Sequence, residues 1–149
     1  MAAYDRYEID PELVPLLVVP EGASLEDVLG FSLERLDEET WKISTEIQDA
    51  HRQPLGLVHG GTYAAMAETV ASVGTVAAVF PDGNIAVGQS NLTHFLRPAR
   101  RGTITGTARA IHRGRTSWIW EIDMTDDQGR RVARSTVTMA VRPRAEAPT

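Results

Sequence analysis

Gly56-Leu57-Val58-His59-Gly60-Gly61-Thr62-Tyr63-Ala64-Ala65-Met66-Ala67-Glu68 opens the one long helical pattern of this chain, and its reading decides the fold. The pattern runs from His59 to about Phe80, where Pro81-Asp82-Gly83-Asn84 closes it as a turn. Small residues dominate it: Ala64, Ala65, Ala67, Ala71, Ala77 and Ala78 let a sheet or a second helix approach closely, although alanine is also simply a good helix former. Glu68 stands in the third turn. Its neighbours at three and four residues are Ala64, Ala65, Ala71 and Ser72, so its carboxylate sits on a face of small side chains and can be closely approached.

On either side of this helix the chain reads as strand. Before it, Ser24 is expected to cap a short helix over Leu25 to Leu29 that ends at Gly30. Phe31 to Leu36 and Thr40 to Gln48 then form a hairpin, with Trp41, Ile43, Thr45 and Ile47 alternating along one face. A loop from Asp49 to Gly56 leads to the helix. After it come four strand patterns, Ile85 to Leu96, Gly102 to His112, Thr116 to Thr125 and Arg131 to Val141. Two strands, one long helix and four strands with short links predict an α+β arrangement, an antiparallel sheet wrapped around a central helix. The expected organisation is an N-terminal arm over residues 1–22, bearing Pro11, Pro15 and Pro20, a single domain over 23–144 and a tail over 145–149.

Composition narrows the function classes. With 149 residues and 42% apolar content the chain suits one globular domain, which can bury about two thirds of its unfolded surface. A net charge of -5 argues against a general attraction to nucleic acid or anionic membrane, so any basic site must be local. Of the 15 cationic side chains only Lys42 is a lysine. The arginines gather from Arg97 onward, a bias that suits bidentate phosphate contacts and equally fits genome composition. No cysteine is present, which excludes a disulfide framework, a thiolate nucleophile and a Cys-ligated zinc; the four histidines show no paired ligand spacing, so no metal is expected. The acidic start, Met1 to Asp10, lacks the charged-then-apolar pattern of a signal peptide, and Val14 to Val19 is too short to span a bilayer; the expected location is cytoplasmic.

The helix also carries the candidate chemistry. Free backbone N–H groups and the positive end of the macrodipole at Gly60 and Gly61 favour an oxyanion or a polarised carbonyl oxygen, unless the two glycines serve only a tight turn. Glu68 is the candidate attacking group or base. Gly60 and Glu68 are eight residues apart, which is roughly 12 Å along a helix axis. One carbonyl needs both its oxyanion donor and its attacking group within about 3 Å of the reacting atoms. If both act on one substrate they come from different subunits, and two helices antiparallel about a two-fold axis near Ala64 make two such sites. Ser72, one turn after Glu68, and Gln53, in the loop before the helix, are further candidates to hold the water or the carbonyl, against the plainer readings of a serine bonded to its own helix and a solvated glutamine. His59 is read as a structural residue bonded to the loop backbone.

Taken together, Gly56-Leu57-Val58-His59-Gly60-Gly61-Thr62 with Ala67-Glu68, Val87-Gly88-Gln89-Ser90-Asn91, Phe95-Leu96-Arg97-Pro98 and Gly114-Arg115-Thr116-Ser117-Trp118 resemble the hotdog-fold acyl-CoA thioesterases over roughly residues 45 to 144. The nearest type is the 4-hydroxybenzoyl-CoA thioesterase with its catalytic glutamate on the central helix, with the phenylacetyl-CoA and dihydroxynaphthoyl-CoA enzymes close by. The resemblance implies a hotdog fold, Glu68 as nucleophile or general base, and the Gly60 N–H as the group that polarises the thioester carbonyl. It implies Gln53 near that carbonyl and Ser72 beside the hydrolytic water. Substrate contacts are implied for His59, Gly61, Ser90, Asn91, Arg97, Arg115, Thr116, Ser117 and Arg144, with Arg100, Arg101 and Arg142 as further candidates for the phosphates. Arg115 replaces a smaller polar residue of the family and adds a cation that can meet a phosphate. The implied assembly is a homo-oligomer, at least a dimer and by resemblance a dimer of dimers. The implied reaction is hydrolysis of an aromatic or medium-sized acyl-CoA without a cofactor, coenzyme A being part of the substrate. Two other readings differ in class. An acyl-CoA binding or sensing protein of the same fold would need an effector segment, and a hydratase would need a paired His and Asp near the reacting carbons.

Overall fold

The computed structural model describes residues 11–13 and 18–145. Most of the expected arm, 1–10 and 14–17, and residues 146–149 of the expected tail lie outside them. Helix α1 is Leu25–Val28, capped by the Ser24 hydroxyl, which accepts the Asp27 N–H at 3.2 Å, and it ends as Gly30 turns left-handed at φ 61°. Strands β1 (Ser32–Arg35) and β2 (Thr40–Glu46) form the hairpin. A single 3-10 turn, Asp49–His51, then precedes α2, Gly60–Val79. Four strands follow: β3 (Asn84–Phe95), β4 (Thr103–Arg113), β5 (Ser117–Thr125) and β6 (Arg131–Pro143).

All six strands join one antiparallel sheet in the order β1-β2-β4-β5-β6-β3, with α2 against one face. The expected α+β hotdog arrangement is therefore present. Alternation produces it: β5 is buried at every second residue, so Trp118, Trp120, Ile122 and Met124 all face the helix. Trp120 is wholly buried, a burial worth about 4 to 6 kcal/mol for an aromatic of its size. Its ring comes so close to α2 that a Cβ on Gly74 would lie 2.7 Å from it. Gly74 is the residue that lets the sheet close onto the helix. The indole N–H donates to the Thr75 hydroxyl at 2.9 Å, and that hydroxyl donates to the Ala71 carbonyl at 2.7 Å. Length and apolarity alone would let the segment Gly60–Asp82 cross a membrane, but its apolar side chains are spent on the sheet.

The two sheet edges differ. Strand β1 is four residues long, whereas β3 has twelve and lies at the opposite edge beside β6. From Val87 to Leu92 every residue of β3 is exposed. Its register with β6 shifts between Gly88 and Ser90, leaving Gln89 as an extra residue in a bulge.

Candidate active site

The start of α2 is held by a buried histidine that has no place in the motifs above. His51 is 3% exposed. Its Nδ1 accepts the Gln48 N–H at 2.8 Å, so Nε2 carries the hydrogen and donates to the Leu29 carbonyl at 2.7 Å, with the Thr45 hydroxyl 3.3 Å away. The His51 carbonyl in turn accepts the His59 N–H at 2.8 Å and the Thr62 hydroxyl at 3.0 Å. One buried imidazole thus ties β2 and α1 to the turn that launches the helix.

At that helix start His59 is the cap: its Nδ1 accepts the Gly61 N–H at 2.8 Å. Its side chain thus bonds to the helix backbone and not, as expected from the sequence, to the preceding loop. The Gly60 N–H finds no acceptor among the described residues. It is the free donor at the positive end of a twenty-residue helix. The side of Gly60 where a Cβ would stand is not open to a ligand. The Phe95 ring tip occupies it, Cζ lying 2.6 Å from the ideal Cβ position. Gln53 stands in the adjoining loop, half-buried, its side-chain oxygen accepting the Leu55 N–H at 2.5 Å, which leaves its two amide hydrogens for another partner. Arg100 closes over this loop, donating to the Leu55 carbonyl at 3.0 Å.

Two turns further along α2, Glu68 is exposed, and its carboxylate lies on Gly88 of β3, where a Cβ would meet Oε1 at 2.8 Å. Asn91 donates to the Ala64 carbonyl at 2.9 Å and accepts the Thr93 hydroxyl at 2.8 Å, so it clamps this stretch of helix to β3. Ser72 is half-buried with its hydroxyl 3.9 Å from the Met139 sulphur. Ser90 is exposed on the bulged segment.

A third group sits at the far end of α2. Arg113, Gly114, Arg115 and Trp118 line a groove of about 490 Å3 together with Asp82 and Asn84. The Arg113 guanidinium lies 4.7 Å from the Trp118 ring centre and Arg144 the same distance from that of Phe80. Thr116 gives its carbonyl to Arg142, and Ser117 gives its carbonyl to the Gly114 N–H. Arg97 is exposed just beyond β3, beside Phe95 in sequence. The expected site residues therefore form three clusters spread along the helix, which is about 30 Å long at 1.5 Å per residue.

Comparison with known proteins agrees with this fold. The family model described as "Thioesterase superfamily" matches residues 55–133, from the loop before α2 into β6. A Pseudomonas aeruginosa protein named as an esterase is 36% identical over 122 residues, 82% of this chain and 84% of that protein. The 1,4-dihydroxy-2-naphthoyl-CoA hydrolase of Listeria monocytogenes is 30% identical over 118 residues, 79% of this chain and 95% of that one. The crystal structure of a mutant thioesterase from Pseudomonas aeruginosa superposes with a TM-score of 0.78 at 35% identity, covering 80% of this chain and 86% of the other.

The chain belongs to the thioesterase superfamily. It is an enzyme, a thioester hydrolase. For this thioesterase the free N–H at Gly60 is suited to hold a carbonyl oxygen as it gains charge, and the exposed carboxylate of Glu68 is suited to attack or to take a proton from water. Within one protomer the two stand on the same helix, eight residues apart.

Proposed function

We propose that this thioesterase hydrolyses an aromatic or medium-sized acyl-CoA to the free acid and CoA, in sites shared between two protomers. The observation that carries the reading is the Glu68 carboxylate, accessible on a face of small residues and lying over Gly88, which has no side chain to cover it. Glu68 acts either as base on a water or as the nucleophile that forms a mixed anhydride. As base it takes a proton from the water whose oxygen attacks the thioester carbon. The carbonyl oxygen becomes an oxyanion on the Gly60 N–H of the partner subunit, and collapse of the adduct expels CoA as its thiolate. Ser72 and Gln53 position the water and the carbonyl. No cofactor takes part, coenzyme A being part of the substrate.

A second copy of the chain is supported by the long edge β3. Its unpaired ladder groups and exposed Val87 and Leu92 form a template for another strand, whereas the opposite edge is only four residues long. Pairing of two β3 edges about a two-fold axis runs the two α2 helices antiparallel and sets Gly60 of one beside Glu68 of the other. Such a dimer also carries the groove lined by Arg113, Gly114 and Arg115, with Thr116, Ser117 and Arg144 close in sequence to its lining residues, toward the partner's Gln53 loop, a course along which the pantetheine and phosphates of CoA extend. His59, Gly61, Ser90, Asn91 and Arg97 line the same course. The naphthoyl-CoA activity named for the Listeria relative supports an aromatic acyl group.

The test is thiol release from benzoyl-CoA, followed with a thiol-reactive dye. Glu68→Ala and Glu68→Gln are expected to lose about a hundred- to ten-thousandfold in kcat while melting at the wild-type temperature. Unchanged turnover in both variants refutes the assignment.

A further inference from the structure

The ring of Phe95 stands against the start of α2. It is 61% exposed, yet its tip stands on the Cα side of Gly60, with Cζ, Cε1 and Cε2 at 2.6, 2.9 and 3.0 Å from the ideal Cβ position. No other residue type at position 60 leaves room for that tip. One side of the ring is turned to Tyr63, whose centroid is 6.2 Å away at an interplanar angle of 36°. Tyr63 itself is buried, so the Phe95 ring backs onto the core, while most of the residue stays exposed next to Gly60, whose N–H is free.

From this geometry we infer that Phe95 is a specificity-determining residue, the aromatic wall that selects planar, aromatic acyl groups; the inference rests on the thioesterase reading above. A carbonyl oxygen bonded to the Gly60 N–H lies about 3 Å from that nitrogen. The atoms attached to its carbonyl carbon then fall within van der Waals reach of a ring that touches the same residue. Two groups leave that carbon, the acyl substituent and the sulphur of CoA. The sulphur leads through two methylenes to the pantetheine amides, which need hydrogen-bond partners, and an aromatic ring backed by Tyr63 offers poor ones along that course. The acyl substituent is the group whose chemistry fits. An aryl ring there meets Phe95 in offset or tilted stacking, which favours aryl over alkyl groups of similar size by about three- to tenfold. Gly60 accordingly has two roles in one residue: its nitrogen holds the oxygen, and its missing side chain admits the ring that reads the acyl group.

The experiment uses the full chain with two substrates sharing the same CoA, benzoyl-CoA and hexanoyl-CoA. Phe95→Leu keeps an apolar side chain of similar bulk and removes only the aromatic face; Phe95→Met serves as the second variant. In either, the ratio of kcat/KM for benzoyl-CoA over hexanoyl-CoA is expected to fall by about three- to tenfold. A role confined to folding would lower both substrates together and leave the ratio alone. An unchanged ratio in both variants overturns the inference while leaving the thioesterase reading intact. A wild-type protein that releases thiol from neither substrate overturns both. The contact itself is tested separately. Gly60→Ala is expected to melt lower than wild type, whereas the same change made in a Phe95→Ala background, where no ring tip meets the new Cβ, is expected to cost little further. An equal loss in both backgrounds means that the ring does not occupy the space.

Discussion

The carboxylate of Glu68 rests on Gly88, the last residue of β3 before its bulge, and a methyl group at position 88 would stand 2.8 Å from Oε1. A helix residue and a strand residue twenty positions apart thereby bring one oxygen against one backbone position. Gly88→Ala leaves both backbone elements in place and pushes that oxygen aside. Displacing a reacting group by about 1 Å costs up to a hundredfold. The variant is expected to lose about ten- to a hundredfold in kcat with near-native melting, measured by thiol release and thermal unfolding.

Tyr63 supplies a prediction in the opposite direction. Its hydroxyl is buried without a hydrogen-bond partner among the described residues, and burial, with a smaller contribution from the Asp126 charge, pushes its pKa up to about 12. The folded state therefore holds the phenolic proton more tightly than the unfolded chain, whose tyrosine titrates near 10. The stability that goes with this proton is fully present below pH 10 and is lost as the pH rises toward 12. Tyr63→Phe removes an unsatisfied polar atom and is expected to be more stable by about 1 kcal/mol or more at neutral pH. Its melting temperature should also fall less steeply between pH 10 and 12 than that of the wild type.

Thr75 tests how the helix is locked to the sheet. Its hydroxyl accepts from the wholly buried Trp120 indole and donates to Ala71. Thr75→Val keeps the shape and strands the indole N–H, at an expected cost of about 1 to 3 kcal/mol. Thr75→Ser keeps the hydroxyl and should lose less. Denaturant unfolding of the two variants measures the difference.

Much of this was legible in the chain, and what was not has a common cause. Local patterns carried the elements: alternation at Trp41, Ile43, Thr45 and Ile47 marked a buried strand face, and Ser24, Gly30 and Gly83 marked the ends of helices and turns. Glu68 stood out because its helical neighbours are small. Contacts between residues far apart in sequence carried the rest. Nothing local shows that β3 crosses to the far edge of the sheet, or that Phe95 returns to stand on Gly60. His51 looks like any of the four scattered histidines, and its signal lies elsewhere in the chain. Thr45 lies on the buried face of β2, and a buried hydroxyl needs a partner. Gly88 was visible within the Val87 to Asn91 motif, but its use depends on which strand passes beneath Glu68.

The most direct measurement of the shared site mixes two inactive proteins. One protomer carries Glu68→Ala. The other carries Gly60→Pro, which removes the donor N–H, together with Phe95→Ala, which clears the space a Cβ at position 60 requires. In a mixed dimer, Glu68 of the second protomer meets the intact Gly60 and Phe95 of the first. Random mixing makes half of the dimers hybrid with one working site of two, so about a quarter of wild-type turnover is expected to return. Mixed dimers that form, as shown by differential tagging, yet release no thiol would contradict the account.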